Sequence, residues 1–328
     1  MTRLKTFLTF NSPYIAVLCI FGLDLICNRR IVGHSNDISM LKTQFEQVVQ
    51  PNTNNQILIA RYASLVMCVA AMKLYLILTM AGLVAATVRM DHLLRYRRTK
   101  DRPRQLIAKW LLALIPAIIY VTFVKLTSEH EYTNAYFLVY SLTMDKYMNA
   151  LHAQYWIDGL AALTALFFAG IASQVITPIV EPDWDMDRKV SRISMKMQTT
   201  RFLLYVGMVI LVSNVVQLRA FLDVASQFGP AAGSIDGVQN LINSLVTSRG
   251  VLASLLLAGI SFPAAFFLRE EAFDLAREAL PDAPLGKREE WLRERSLIAS
   301  AAELIPRLGA VLAPLLAGPL STLLQDLK

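Results

Sequence analysis

The chain has 328 residues, 55% of them hydrophobic and only 17% charged, with a mean hydropathy of +0.45. Soluble domains carry about 25% charged residues. Here the charges lie in blocks between long apolar runs, which excludes a large soluble core and describes an all-α, polytopic integral membrane protein. The net charge of +7 sits in short segments beside those runs, where topology determinants belong, so nucleic acid is not an expected partner.

In chain order, the first apolar run covers Phe7 to Cys27, with Pro13 in its first turn and Asp24 near its far end. It follows a charged start and is not followed by a small-residue cleavage site, so it reads as an uncleaved anchor. A polar segment leads to the longest run, Gln56 to Arg89, which carries Lys73 in its interior. A bilayer needs about 20 residues, so the span is set near Cys68–Val88, with the surplus projecting beyond the membrane. A basic run follows at once. Its Arg95, Arg97, Arg98, Lys100 and Arg102 mark a cytoplasmic segment and suit anionic lipid headgroups. Span three is expected at Trp110–Leu126.

An aromatic outer loop precedes span four, Ile157–Thr177, in which Ala162, Ala165, Ala169 and Ser173 recur at helical steps and permit close helix approach. The segment Glu181–Gln198 is charged and mixed, with Arg188, Lys189, Arg192 and Lys196, and is expected on the cytoplasmic side. Span five covers Phe202–Ala220, with Asn214 and Gln217 as candidate interhelical polar contacts. Span six covers Val251–Leu268, with Pro263 as a kink, and continues as a polar helix. A further short cytoplasmic helix is expected in KREEWLRER. The apolar tail, 308–327, is broken by Pro314 and Pro319 and is expected to lie on or re-enter the membrane. The domain reading is a transmembrane bundle over 1–269 and a cytoplasmic helical extension with a membrane-associated tail over 270–328.

The expected topology is six spans with both termini cytoplasmic. Residues 1–6, 89–109, 181–201 and 269–297 hold 21 Lys and Arg, whereas 28–55, 127–150 and 225–249 hold five. This bias orients the chain. Short loops and the lack of glycosylation acceptors favour a bacterial inner membrane.

Nucleotide-binding glycine motifs, GxSxG and HExxH are absent. Cys19, Cys27 and Cys68 show no ligand spacing. No enzyme activity, cofactor or metal is therefore expected, and His130 and His152 with Glu129 and Glu131 read as solvated loop residues. The intramembrane charges carry more information, since each costs about 2.5–3.5 kcal/mol on insertion scales. Lys73, Asp158 and Asp24 fall at similar depth on three spans and form a candidate polar cluster. Two functions are expected: a structural or pore-forming component of a multi-subunit membrane assembly, with homo- or hetero-oligomeric partners, or a secondary transporter of an ion or small solute with a polar site at the level of Lys73.

Overall fold

The computed structural model describes residues 11–21, 55–95, 107, 111, 114–119, 122, 148–177, 184–228, 236–298 and 306–317. Among them there is no strand. The helices are α1 (Ser12–Phe21), α2 (Asn55–Arg95), α3 (Met148–Ile176), α4 (Met186–Phe228), α5 (Asp236–Ala279), α6 (Leu285–Glu294) and α7 (Pro306–Ala317). Four of these contain stretches long and apolar enough to cross a bilayer: Ala63–Leu94, Trp156–Ile176, Met186–Asp223 and Ile242–Ala279. The protein is a polytopic all-α membrane protein. Six spans were expected and four long apolar helices are found; the first expected span is described only as the short α1, and the third only at scattered residues and at 114–119.

α3 is the central helix. Of its most apolar window 72% is buried, against 22% for α2. The reason is side-chain size. Ala162, Ala165, Ala169, Ala172 and Ser173 are all buried, and small side chains let neighbouring backbones approach. At Gly170 an added Cβ would stand 2.5 Å from the Tyr14 hydroxyl of α1. α2 instead turns a wide apolar face outward, including Val66, Ile77, Met80 and Val84, as a lipid-facing helix does.

Contacts at successive heights give the directions of the helices. α4 and α5 are antiparallel. Lys189 pairs with Glu278 and Lys196 with Glu271 at one end; Gly207 meets Leu257 midway; Asn214 meets Arg249 and Arg219 meets Asn243 at the other end. α2 is antiparallel to α4, because the Arg89 guanidinium lies over the Phe202 ring and Gly82 abuts Val206 and Ile210. α3 runs from Asp158, at the Arg249 end, to Thr177, whose carbonyl accepts from Lys196 at the Arg89 end. α1 runs the opposite way, with Tyr14 against Gly170 and Ile20 beside Gly259.

From Met186 on, the charged segment before span five is helical and continuous with that span. Met186, Val190, Ile193 and Met197 form a heptad-like stripe that packs on Ala272, Leu275 and Ala276 of α5 and on Leu292 and Trp291 of α6. The charged residues around that stripe hid it. α6 is the expected short helix, and Arg288 holds it to the end of α5 by donating to the Leu280 and Pro281 carbonyls at 3.1 and 2.6 Å. α5 continues through Pro263 without a break.

α7 packs lengthwise along α4 and α5, not flat across their ends. Ala310 and Val311 join Leu204 and Leu257, Leu315 N donates to Ser254 Oγ at 3.1 Å, and Ala317 joins Val215 and Val246. Its last described turn therefore stands at the Arg249 end. An added Cβ at Gly250 would lie 2.6 Å from the Pro314 carbonyl oxygen, a backbone atom that cannot swing away. Gly250→Ala is expected to destabilise the protein by about 1–3 kcal/mol and to expose the tail to protease. Gly286→Ala, which meets open space within its helix, is expected to be neutral or stabilising by up to about 1 kcal/mol. Thermal unfolding in detergent with limited proteolysis checks both.

Candidate functional site

Two polar layers interrupt the apolar bundle. On α4, Lys196 and Asn214 are separated by about 27 Å at a rise of roughly 1.5 Å per residue. On α5, Glu271 and Arg249 are separated by about 33 Å on the same basis. The hydrocarbon core of a bilayer is about 30 Å thick. The layers thus sit one membrane thickness apart, near the two boundaries.

At the Arg89 end, Lys196 is fully buried and its Nζ donates to Glu271 at 2.6 and 2.8 Å and to the Thr177 carbonyl at 3.3 Å. Its three acceptors come from two chain segments, the end of α3 and α5. This is a clamp between α3, α4 and α5.

At the other end the charges border a cleft. Arg249 Nη2 donates to Asp158 Oδ1 at 2.9 Å, and Arg249 Nε lies 3.4 Å from Asn214 Oδ1. The two charged side chains are 15% and 11% exposed, low enough for a strong pair and high enough for water to reach. The group lines a cleft completed by Ile20 and Phe21 of α1, Ala161 and Ala162 of α3, Leu211 of α4 and Leu252 of α5. The alanines leave the room that larger side chains would fill. The cavity measures about 30 Å³; one water needs roughly 10–15 Å³ on that measure, so about two waters fit and an organic solute does not. Tyr75 of α2, fully buried, stands behind Asn214, within electrostatic reach of Asp158 and Arg249.

The expected residues are placed as follows. Asp158 lies in the cleft. Lys73 does not: it is exposed on the outward face of α2, and among the described residues it has no ion pair. It lies two positions before Tyr75, so its height is that of the site while its direction is not. The opposite charge comes from Arg249, two positions before the expected start of span six. Asp24 lies outside the described residues, as do the side chains of Arg95, Arg97, Arg98, Lys100 and Arg102. Asn214 contacts Arg249 between α4 and α5. Gln217 is buried one turn further on, next to the layer in which Arg219 pairs with Asp223 at 3.0 Å and bonds Asn243. A usable signal for Arg249 was present in the sequence: a lone arginine at the start of an apolar run, at the depth of a lone aspartate of opposite sign.

Removing one member of a buried pair strands the other charge, whereas removing both does not. Asp158→Asn is therefore expected to cost up to about 3–5 kcal/mol, and the double change Asp158→Leu with Arg249→Met to recover most of it. Lys73→Met is expected to leave stability unchanged. A double-mutant cycle on unfolding in detergent checks the set.

No family model, no curated protein and no solved structure matches this chain.

Proposed function

We propose that the chain is a secondary transporter of a proton or small ion, and that Asp158 is the group on which the transported cation binds. The observation that carries this reading is the Asp158–Arg249 pair lining a water-sized cleft at one edge of the apolar layer. Ionisable groups at membrane depth usually mark ion or proton pathways. Arg249 then serves as the built-in counter-ion. It holds the carboxylate in the empty state, where the pair is neutral, and yields it when a cation arrives; the displaced guanidinium then repels the bound cation and favours its release. The size of the cleft favours a proton or a small hydrated ion over a larger solute.

The same proposal takes the six-span topology. α1 and α2 run in opposite directions, as do α3 and α4, and α4 and α5. α2 and α3 run in the same direction, which calls for a return crossing between them. Residues 114–119 are helical, with Ala117 in the core and Ile115, Ile118 and Ile119 exposed, and they suit that crossing. Positive-inside bias then puts the Arg89 end in the cytoplasm, the N-terminus with it, and the basic run at anionic lipid of a bacterial inner membrane. A cytoplasmic C-terminus requires residues 318–328 to return from the height of Ala317.

The reading as a structural or pore-forming subunit of a larger assembly rests on the outward apolar face of α2, which lipid covers equally well. Flux decides between them. The purified protein is reconstituted into liposomes holding a pH-reporting dye, and a potassium diffusion potential is imposed with valinomycin. Proton entry is expected well above that of empty liposomes and at least about tenfold lower in Asp158→Asn. Flux equal to empty liposomes, from protein that purifies in stoichiometric complex with other chains, would favour the assembly reading.

A further inference from the structure

Arg249 of α5 is held from two sides. Its Nη2 donates to Asp158 Oδ1 of α3 at 2.9 Å, and its Nε faces Asn214 Oδ1 of α4 at 3.4 Å. The first is a charge-assisted bond of ordinary length; the second is at the long limit of an N–H···O bond. The guanidinium is thus drawn towards α3 while a neutral acceptor stands beside it on α4. Asn214 is 3% exposed, and the fully buried Tyr75 of α2 backs it, so the amide is fixed at the side of the guanidinium. Among the described residues, the charged and titratable groups at this site are Asp158, Arg249 and Tyr75; α1 and α4 contribute Ile20, Phe21, Leu211 and Asn214.

A cation that neutralises Asp158 removes the main attraction on Arg249. The guanidinium keeps its charge, and with its side chain 15% exposed it needs another acceptor close by, because a buried donor without one bears its full desolvation cost. Asn214 Oδ1 is already in place. A shift of about 0.5 Å turns the long Nε contact into a full hydrogen bond.

We propose that Asn214 is a positioning residue: it gives Arg249 a second, neutral seat, and so sets how readily Asp158 takes its cation. The seat rests on the geometry alone; its effect on loading rests on the transport reading. Without the amide, Arg249 clings to the carboxylate and loading becomes harder. A carboxylate at the same position draws the guanidinium away from Asp158 and makes loading easier.

Thermal unfolding in detergent tests the seat without any flux. Asp158→Asn stands for the neutralised carboxylate, and the double change Asp158→Leu with Arg249→Met removes the need for a seat. Asn214→Leu is expected to lower the melting temperature most in the Asp158→Asn background, about half as far in the parent, and least in the charge-free background. Equal drops in all three, the result for an amide that only packs, would overturn the seat. In the liposome assay, flux is then read against external proton concentration. Half-maximal flux is expected to need about three- to tenfold more protons in Asn214→Leu and about three- to tenfold fewer in Asn214→Asp. Damaged packing alone lowers flux in both variants and does not move the two midpoints in opposite directions. Midpoints that stay at the parent value, with flux present, would overturn the effect on loading and leave the transport reading standing. No flux in the parent would overturn the transport reading and the effect on loading together, while the order of the melting temperatures decides the seat.

Discussion

The antiparallel contact between α4 and α5, pinned by polar groups one bilayer thickness apart, is the constraint on which the rest of this structure depends. Lys196 with Glu271 at one end, and Asn214 with Arg249 at the other, allow one register. A slip of even one turn would bury charges against leucine and valine, at several kcal/mol each. Between the layers the contact is apolar and weakly specific, so the polar ends decide the alignment. α3 is then held to both layers, by Asp158 at one and by the Thr177 carbonyl at the other.

The two layers use similar chemistry differently. Lys196 is fully buried and its ammonium is engaged by the Glu271 carboxylate and the Thr177 carbonyl, so it ties three helices together. Asp158 and Arg249 stand beside small alanines and the short helix α1, which leave a cleft. Side-chain volume around the pair, more than the pair itself, separates a clamp from a candidate site. This is why the Asp158–Arg249 layer carries the transport proposal and the Lys196–Glu271 layer does not.

Charge also explains the paired extension at the Arg89 end. Beyond the membrane layer, α4 and α5 continue side by side, and α6 folds over them on a small apolar cluster built from Ile193, Leu275, Leu292 and their neighbours. Asp187, Arg188 and Ser191 form the outer face of this packing, whereas Arg192 and Lys196 are buried. The apolar stripe beneath them is a regular helical signal, but it is thin: four residues among many charges. In the tail, Pro314 reads as a helix breaker, yet it lies within α7, and its carbonyl packs on Gly250. Glycine there leaves the space that the tail occupies.

Sequence by itself determined the class of the protein, the four long apolar helices and the heights of their charged residues, because a helix advances by a constant 1.5 Å per residue. Height alone grouped Lys73 with Asp158. Direction around the helix axis was not readable, because α2 is apolar on all sides and offers no contrast between a lipid face and a core face. Tertiary structure alone decided that Lys73 points outward, that Arg249 meets Asp158, and that Tyr75 lies behind them. Those are lateral relations between helices distant in the chain, and they are set by which small residues let which backbones approach.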